Sequence, residues 1–428
     1  MKRHIINIML AAAVALGLAS CKDYPDAFEL ADGVPVVHGV RYADRDVLIE
    51  QAYLGEIVCL MGDNLCSVHE LFFNDQKTLL NTSFMTENTL VAAIPNSVPA
   101  DITNKIYLIT QAKDTVVYDF RVMLPAPIIK SINCEFQAPG TEAIVYGDFF
   151  VEPLEIEFAG GAKVTEFKNI SQTEVTFVIP KTAKPGKIKV TTESGVTASP
   201  FSYYDFCDGL ITDFDGGTDI QPKGWNFSGT YSSENGILGK YVELKGDPLA
   251  ADGAWNENYK IDFWCGIWNG NPMGLTSGAG VPICNIIDFT NFQQMALKFE
   301  LFIPSSNPWM SGAMQLIFAS ADKAANEEWQ NNTFMQASAN DPKGLDLCRG
   351  FYRPWEGVGS FDTGDKWITV TVPFSEFVYN ADGTNGLVPL SKPEDFASFV
   401  IYVWSGGVNG TECSPVFRID NIRAVPIK

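Results

Sequence analysis

The chain has 428 residues, of which 46% are hydrophobic and 19% charged. That balance excludes disorder as its general state, and the length exceeds what one compact core accommodates. Its formal net charge of −21 argues against nucleic acid or anionic lipid headgroups as ligands, which would be repelled, and leaves neutral polymers open.

At the start, Lys2 and Arg3 precede an apolar run from Ile5 to Leu18, followed by the small residues Ala19 and Ser20 and then Cys21, the layout of a secretion signal over residues 1–20. Leu18-Ala19-Ser20-Cys21 resembles a bacterial lipobox, which implies cleavage before Cys21, a lipid on that cysteine and a membrane contact made through the lipid alone. Without Lys2 and Arg3 the formal charge falls to −23. Eight other cysteines are irregularly spaced, with no Cys-x-x-Cys and no histidine after His69, so a zinc site is not expected. Export permits disulfides, buried free thiols are equally compatible, and no pairing is predicted.

Residues 21–33 are acidic and turn-rich and read as a tether. An internal repeat follows. Gly62-Asp63 and Gly147-Asp148 each stand 33 residues ahead of a proline, Pro95 and Pro180, and each proline follows an isoleucine. Between these marks Leu71 aligns with Ile156, Phe73 with Phe158 and Leu90 with Val175. Short alternating runs separated by Gly, Asn, Asp and Pro turns predict a small β-sandwich in each copy, over 34–124 and 125–204. The pattern resembles the immunoglobulin-like TIG module, which implies a spacer. His38 and His69 lie here without the partners of a site. Pro125-Ala126-Pro127 and Ser199-Pro200 are expected to stiffen the joints and end the modules.

From Asp205 the composition turns aromatic and rich in Gly and Asn. Strands are predicted at Tyr241–Leu244, after an Asn235-Gly236 hairpin signal, and at Leu297–Ile303, Trp367–Pro373, Phe399–Trp404 and Val416–Val425. A short helix is expected around Ala321–Trp329. Residues 205–428 therefore read as one large jelly-roll β-sandwich, and the whole chain as all-β.

All nine tryptophans lie beyond residue 204, many in segments that read as loops. Indoles kept in loops suit a flat, half-apolar partner such as a pyranose ring. Trp264, Trp268, Trp309, Tyr352 and Trp355 are the expected stacking residues, with Arg353 and Glu356 bonding to hydroxyls at the rim. Trp225, Trp255 and Trp367 are assigned to packing, Trp329 to packing of the short helix, and Trp404 to either role. Asp213, Asp215 and Asp420 are oxygen ligands suited to a structural calcium, or simply caps of turns.

Ile211–Gly216, Gly350–Glu356, Asp365–Pro373 and Phe417–Arg423 resemble the C-terminal domain of cell-surface glycan-binding lipoproteins of Bacteroides-type polysaccharide-utilisation systems. The resemblance implies an outward-facing outer-membrane anchor, non-catalytic capture of a β-glucan or hemicellulose such as xyloglucan or mixed-linkage glucan, and cooperation with a SusC/SusD-type import pair. The alternatives are a jelly-roll glycoside hydrolase, for which no Glu-x-Asp-x-x-Glu strand is present, and an adhesin that binds protein.

Overall fold

The structure is a computed structural model that describes residues 32–220, 222, 229–263, 265, 267–268, 271–272, 281–321, 323 and 347–427. The lipobox with Cys21, most of the tether and most of the expected short helix lie outside the described residues. The chain divides into two compact units, residues 1–125 and 126–428.

In the first unit, two four-stranded antiparallel sheets face each other, one built on Val36–Tyr42 and Ile57–Asp63, the other on Val68–Phe73 and Lys105–Thr110. Alternation places Val58, Leu60, Leu71, Phe73, Leu90, Ile106 and Leu108 between them, all within 1% of fully buried. The second unit opens with a sandwich of the same plan, built on Glu142–Asp148 and Lys184–Thr192, with Val145, Ile156, Phe158, Val175 and Phe177 in its core. The repeated glycines share one cause. Gly62 and Gly147 lie under the carbonyls of Val36 and Ile128 on the neighbouring strand, each beside a bulge, and a Cβ at either position would overlap that oxygen.

Ser199-Pro200 does not end a strand. Gly195–Tyr203 runs through it, opposite an irregularity at Lys187/Lys189. Proline offers no N–H to the ladder, and the Ser199 hydroxyl fills in locally by accepting the Ile188 N–H at 3.0 Å.

The rest of the second unit is a larger sandwich. We number its eight long-range strands β1 (Tyr241–Leu244), β2 (Lys260–Phe263), β3 (Met295–Phe302), β4 (Ala313–Ala319), β5 (Gly350–Tyr352), β6 (Ile368–Pro373), β7 (Ser398–Trp404) and β8 (Phe417–Pro426). One sheet runs β1-β8-β3-β6, extended by Thr230–Ser232 beside β1 and Leu210–Thr212 beside β8; the other runs β2-β7-β4-β5. Successive strands alternate between the sheets except β4 and β5, which pair within one, giving the strand order of a jelly roll.

This sandwich and the module before it share a buried charged joint. Glu135 of the module accepts from Arg423 Nη2 at 2.7 Å and from Lys298 Nζ at 2.5 Å, while Arg423 Nη1 donates to Glu300 at 2.8 Å. Thr369 adds its N–H to the Asn133 carbonyl at 2.9 Å and its hydroxyl to Glu300 at 2.8 Å. Two acids and two bases cancel, and all four residues are at most 5% exposed. Trp367 is packed, as expected, with Tyr241, Cys134 and Phe136 around this joint.

Candidate functional site

Strand β7 reads Ser-Phe-Val-Ile-Tyr-Val-Trp, apolar almost throughout, yet its two faces differ. Phe399, Ile401 and Val403 enter the jelly-roll core, so Tyr402 and Trp404 point to the other side of the sheet. The register carries that outer face across four strands: Lys260 lies opposite Tyr402, Tyr402 opposite Gln315, and Gln315 opposite Phe351.

A polar loop, Asp252 to Asn258, brings a third aromatic residue to this face. Trp255 stands edge-on to Tyr402 and Trp404, with ring centroids 4.8 and 5.8 Å away, and remains 48% exposed. Trp404 is half-buried and stacks obliquely on Tyr402 at 5.9 Å. The loop is held from several sides. Ser405 N–H donates to the Gly253 carbonyl at 2.7 Å, Asn256 N–H donates to the Tyr402 hydroxyl at 3.1 Å, and the Asn256 amide caps Asp247 and Pro248 carbonyls. Gly253, at φ 66°, lies against Ser405 and Gly312 where a side chain would not fit.

The Trp255 indole N–H donates to Glu257 at 2.6 Å, and the other Glu257 oxygen accepts from Lys260 at 2.9 Å. The Lys260 ammonium sits 5.0 Å from the Trp255 ring centroid and 5.5 Å from that of Tyr402. Partial burial opposes the Glu257 charge, but the hydrogen bonds from Lys260 and Trp255 outweigh it and hold the carboxyl below the usual glutamate range. Burial keeps the Tyr402 hydroxyl neutral. The result is an indole fixed in direction before any ligand arrives, with a charged pair at its edge.

Towards β5 the same face is covered by the chain after Phe377. Gln315 donates to the Ala381 and Trp404 carbonyls at 3.0 and 2.7 Å and accepts from Arg349 at 2.8 Å. Phe351 and the partly exposed Tyr379 stack at 5.0 Å. Arg353 is tied to Glu356 at 2.7 Å and to the Gly406 carbonyl.

The residues expected to stack on sugar are dispersed. Trp309 is wholly buried: its indole donates to the Ser311 carbonyl at 2.5 Å, its backbone bridges to Phe361, and its ring packs on Phe417. Trp355 is 4% exposed and donates to the Gly312 carbonyl at 2.8 Å. Tyr352 is half-buried against Trp309 and Phe361, on the core side of β5. Core packing satisfied the indole N–H groups internally, so neither Trp309 nor Trp355 offers a face to solvent. Arg353 and Glu356 pair with each other, and Glu356 is exposed. Trp225, Trp264 and Trp329 lie outside the described residues, and Trp268 is described only in its backbone, pairing with Asn271.

The assignment of Trp255 to packing is corrected by its exposure. Its signal in the sequence is a lone indole within the polar run Asp252–Asn258. For Tyr402 and Trp404 the signal is weaker, because β7 is apolar on both faces and conceals its alternation.

Asp213, Asp215 and Asp420 are not gathered as calcium ligands. Among the described residues no three His, Cys, Asp or Glu side chains converge to hold a metal ion. Asp213 instead accepts the Asp215 and Gly217 N–H groups, and Asp215 the Lys240 N–H, as turn caps do. Asp420 is fully buried on β8, where burial, with Glu300, Asp215 and Asp213 nearby, pushes its carboxyl up to about 9.

A jelly roll with a fixed, half-exposed indole beside further aromatics on one sheet defines a carbohydrate-binding β-sandwich. Residues 203–426 match the family model for the surface glycan-binding protein B xyloglucan binding domain. The surface glycan-binding protein PbSGBP-B from Prevotella bryantii is 33% identical, covers 93% of this chain and 100% of its own, and superposes with a TM-score of 0.77. The chain belongs to this family of surface glycan-binding proteins. SGBP-B from a complex xyloglucan utilization locus in Bacteroides uniformis aligns at 14% identity over 92% of this chain and 100% of its own, with a TM-score of 0.44. An IPT/TIG domain-containing protein of Bacteroides ovatus is 25% identical over 146 residues, 32% of this chain and 29% of that protein's length.

Proposed function

We propose that this protein captures a neutral β-glucan, xyloglucan or a related hemicellulose, on the outer face of the β2-β7-β4-β5 sheet, and performs no chemistry on it. The observation that carries this reading is the position of Trp255. It is a large apolar side chain held half-exposed by a network that fixes its orientation, which is costly unless something flat covers it. Sugar C–H faces stack on the indole while Glu257 and backbone groups of the loop meet the hydroxyls.

Non-catalytic action is supported by the state of the acids. Glu300, one of the carboxylates near the aromatic segments, is locked by Arg423 and fully buried, and Glu257 is held by Trp255 and Lys260. Among the described residues neither is left as a free carboxyl in an open cleft, as glycoside hydrolysis requires. In this reading Cys21 carries a lipid that tethers the protein to the outer membrane facing outward, the two sandwiches before residue 205 act as spacers, and the captured chain passes to a SusC/SusD-type import pair.

Affinity electrophoresis through gels containing xyloglucan, mixed-linkage glucan or an unrelated polymer tests the reading. Retardation by a β-glucan, with no reducing ends released on incubation, is expected. Unhindered migration in every gel, or release of reducing ends, overturns it.

A further inference from the structure

The start of β7 is bonded by two separate stretches of chain, at Cys265 and at Ile283. Antiparallel pairing of β2 with β7 ends at Phe263 opposite Phe399, and Cys265 follows two residues on. Cys265 is fastened there: its N–H donates to Ser398 Oγ at 2.7 Å, and that hydroxyl donates to the Cys265 carbonyl at 2.8 Å. On the return, the Ile283 N–H donates to the Ala397 carbonyl at 3.1 Å, and Cys284 is the next residue, in the short turn Ile283–Asn285. Two thiols from distant points in the sequence are thus delivered to the ends of one dipeptide, Ala397-Ser398.

We propose that Cys265 and Cys284 form a redox pair that joins as a disulfide under oxidising conditions and fastens both ends of residues 266–283 to the start of β7. The oxidant is a small disulfide such as oxidised glutathione. One cysteine thiolate attacks it and expels the first small thiol; the second cysteine then displaces the remaining one. The protein gives up two protons and two electrons, and the oxidant leaves as two thiols. Both sulfurs are reduced in the structure. Burial first, and then the charge of neighbouring Cys284, push the Cys265 thiol up to about 11, and burial pushes Cys284 up as well. Thiolate is therefore scarce at neutral pH, and exchange accelerates as pH rises toward that value.

The test treats the full chain with oxidised glutathione, quenches with iodoacetamide in denaturant and maps peptides by mass spectrometry without reduction. A peptide joining Cys265 to Cys284 is expected, abolished by dithiothreitol, formed faster at pH 9 than at pH 7, and accompanied by a higher Tm. Cys284→Ser is expected to return Cys265 to the alkylated pool while its circular dichroism stays that of the parent. Full alkylation of both residues, or capture of either by glutathione or by another cysteine, overturns the proposal. The outcome is independent of sugar binding.

Discussion

Replacing Arg423 with Met tests how the sandwich is joined to the module before it. Arg423 is fully buried, and its guanidinium bonds Glu135 at 2.7 Å on one side and Glu300 at 2.8 Å on the other. Burial works against its charge, but the two glutamates outweigh burial and keep it protonated. The methionine fills a similar volume and leaves two carboxylates facing only Lys298. Breaking one side of a buried ion pair costs about 3–5 kcal/mol. At about 2–4 °C per kcal/mol for a body of this size, the transition of residues 126–428 should fall by roughly 6–20 °C in calorimetry at pH 7. The deficit also has a sign in pH. Burial already raises the Glu300 carboxyl, and without Arg423 it rises further. A folded-state value above the unfolded one means that the folded form gains a proton as pH falls, so the deficit is full at neutral pH and shrinks toward pH ~4.3, the ordinary glutamate value. Lys366→Ala removes only an exposed pair to Glu142 at 3.5 Å and should change Tm by little. An Arg423→Met protein that melts within about 2 °C of the parent refutes the joint as described.

Other expectations follow from the same structure. Trp309→Ala should destabilise the jelly roll by about 3–5 kcal/mol in urea titration, because it empties a fully buried site, while the protein that remains folded binds sugar with unchanged affinity. A selective loss of affinity without loss of stability would return Trp309 to the binding face. Sugar binding should hold from neutral pH down through the ordinary glutamate range and weaken only below it, since Glu257 is held below that range and its protonation releases Trp255 and Lys260; calorimetric titrations across that window check this. Asp420, pushed up to about 9, keeps in the folded state a proton that the unfolded chain gives up near pH 4, so its contribution to stability declines as pH rises from about 4 to about 9. Asp420→Asn should flatten that decline, measured as Tm against pH, and an unchanged slope would contradict the assignment.

Much of the architecture was legible in the sequence because it rests on local periodicity and on steric necessities. Gly62 and Gly147 mark equivalent positions because a neighbouring carbonyl leaves no room for a side chain at either. Phe73 and Phe158, or Leu90 and Val175, alternate inward at the same offset. The strands Met295–Phe302, Ile368–Pro373 and Ser398–Trp404 follow the expected runs closely. The binding face was less legible because loop conformation is set by distant partners. Trp309 follows a proline in what reads as an exposed loop, yet its N–H and ring find Ser311 and Phe417 inside. Trp255 reads as a packing residue, yet Ser405, Tyr402 and Glu257, up to 150 residues away, hold it outward. The Glu135–Arg423 pair, separated by 288 residues, has no signal in either segment alone.

The central claim is that the Trp255 indole, held over the outer face of β7, is where sugar lies. Isothermal titration of a xyloglucan oligosaccharide into the full chain and into Trp255→Ala measures it directly. The account predicts that the variant loses about 2 kcal/mol, roughly 30-fold in Kd, with its melting temperature preserved. Equal affinity in the two proteins, with binding intact, would place the sugar elsewhere and contradict it.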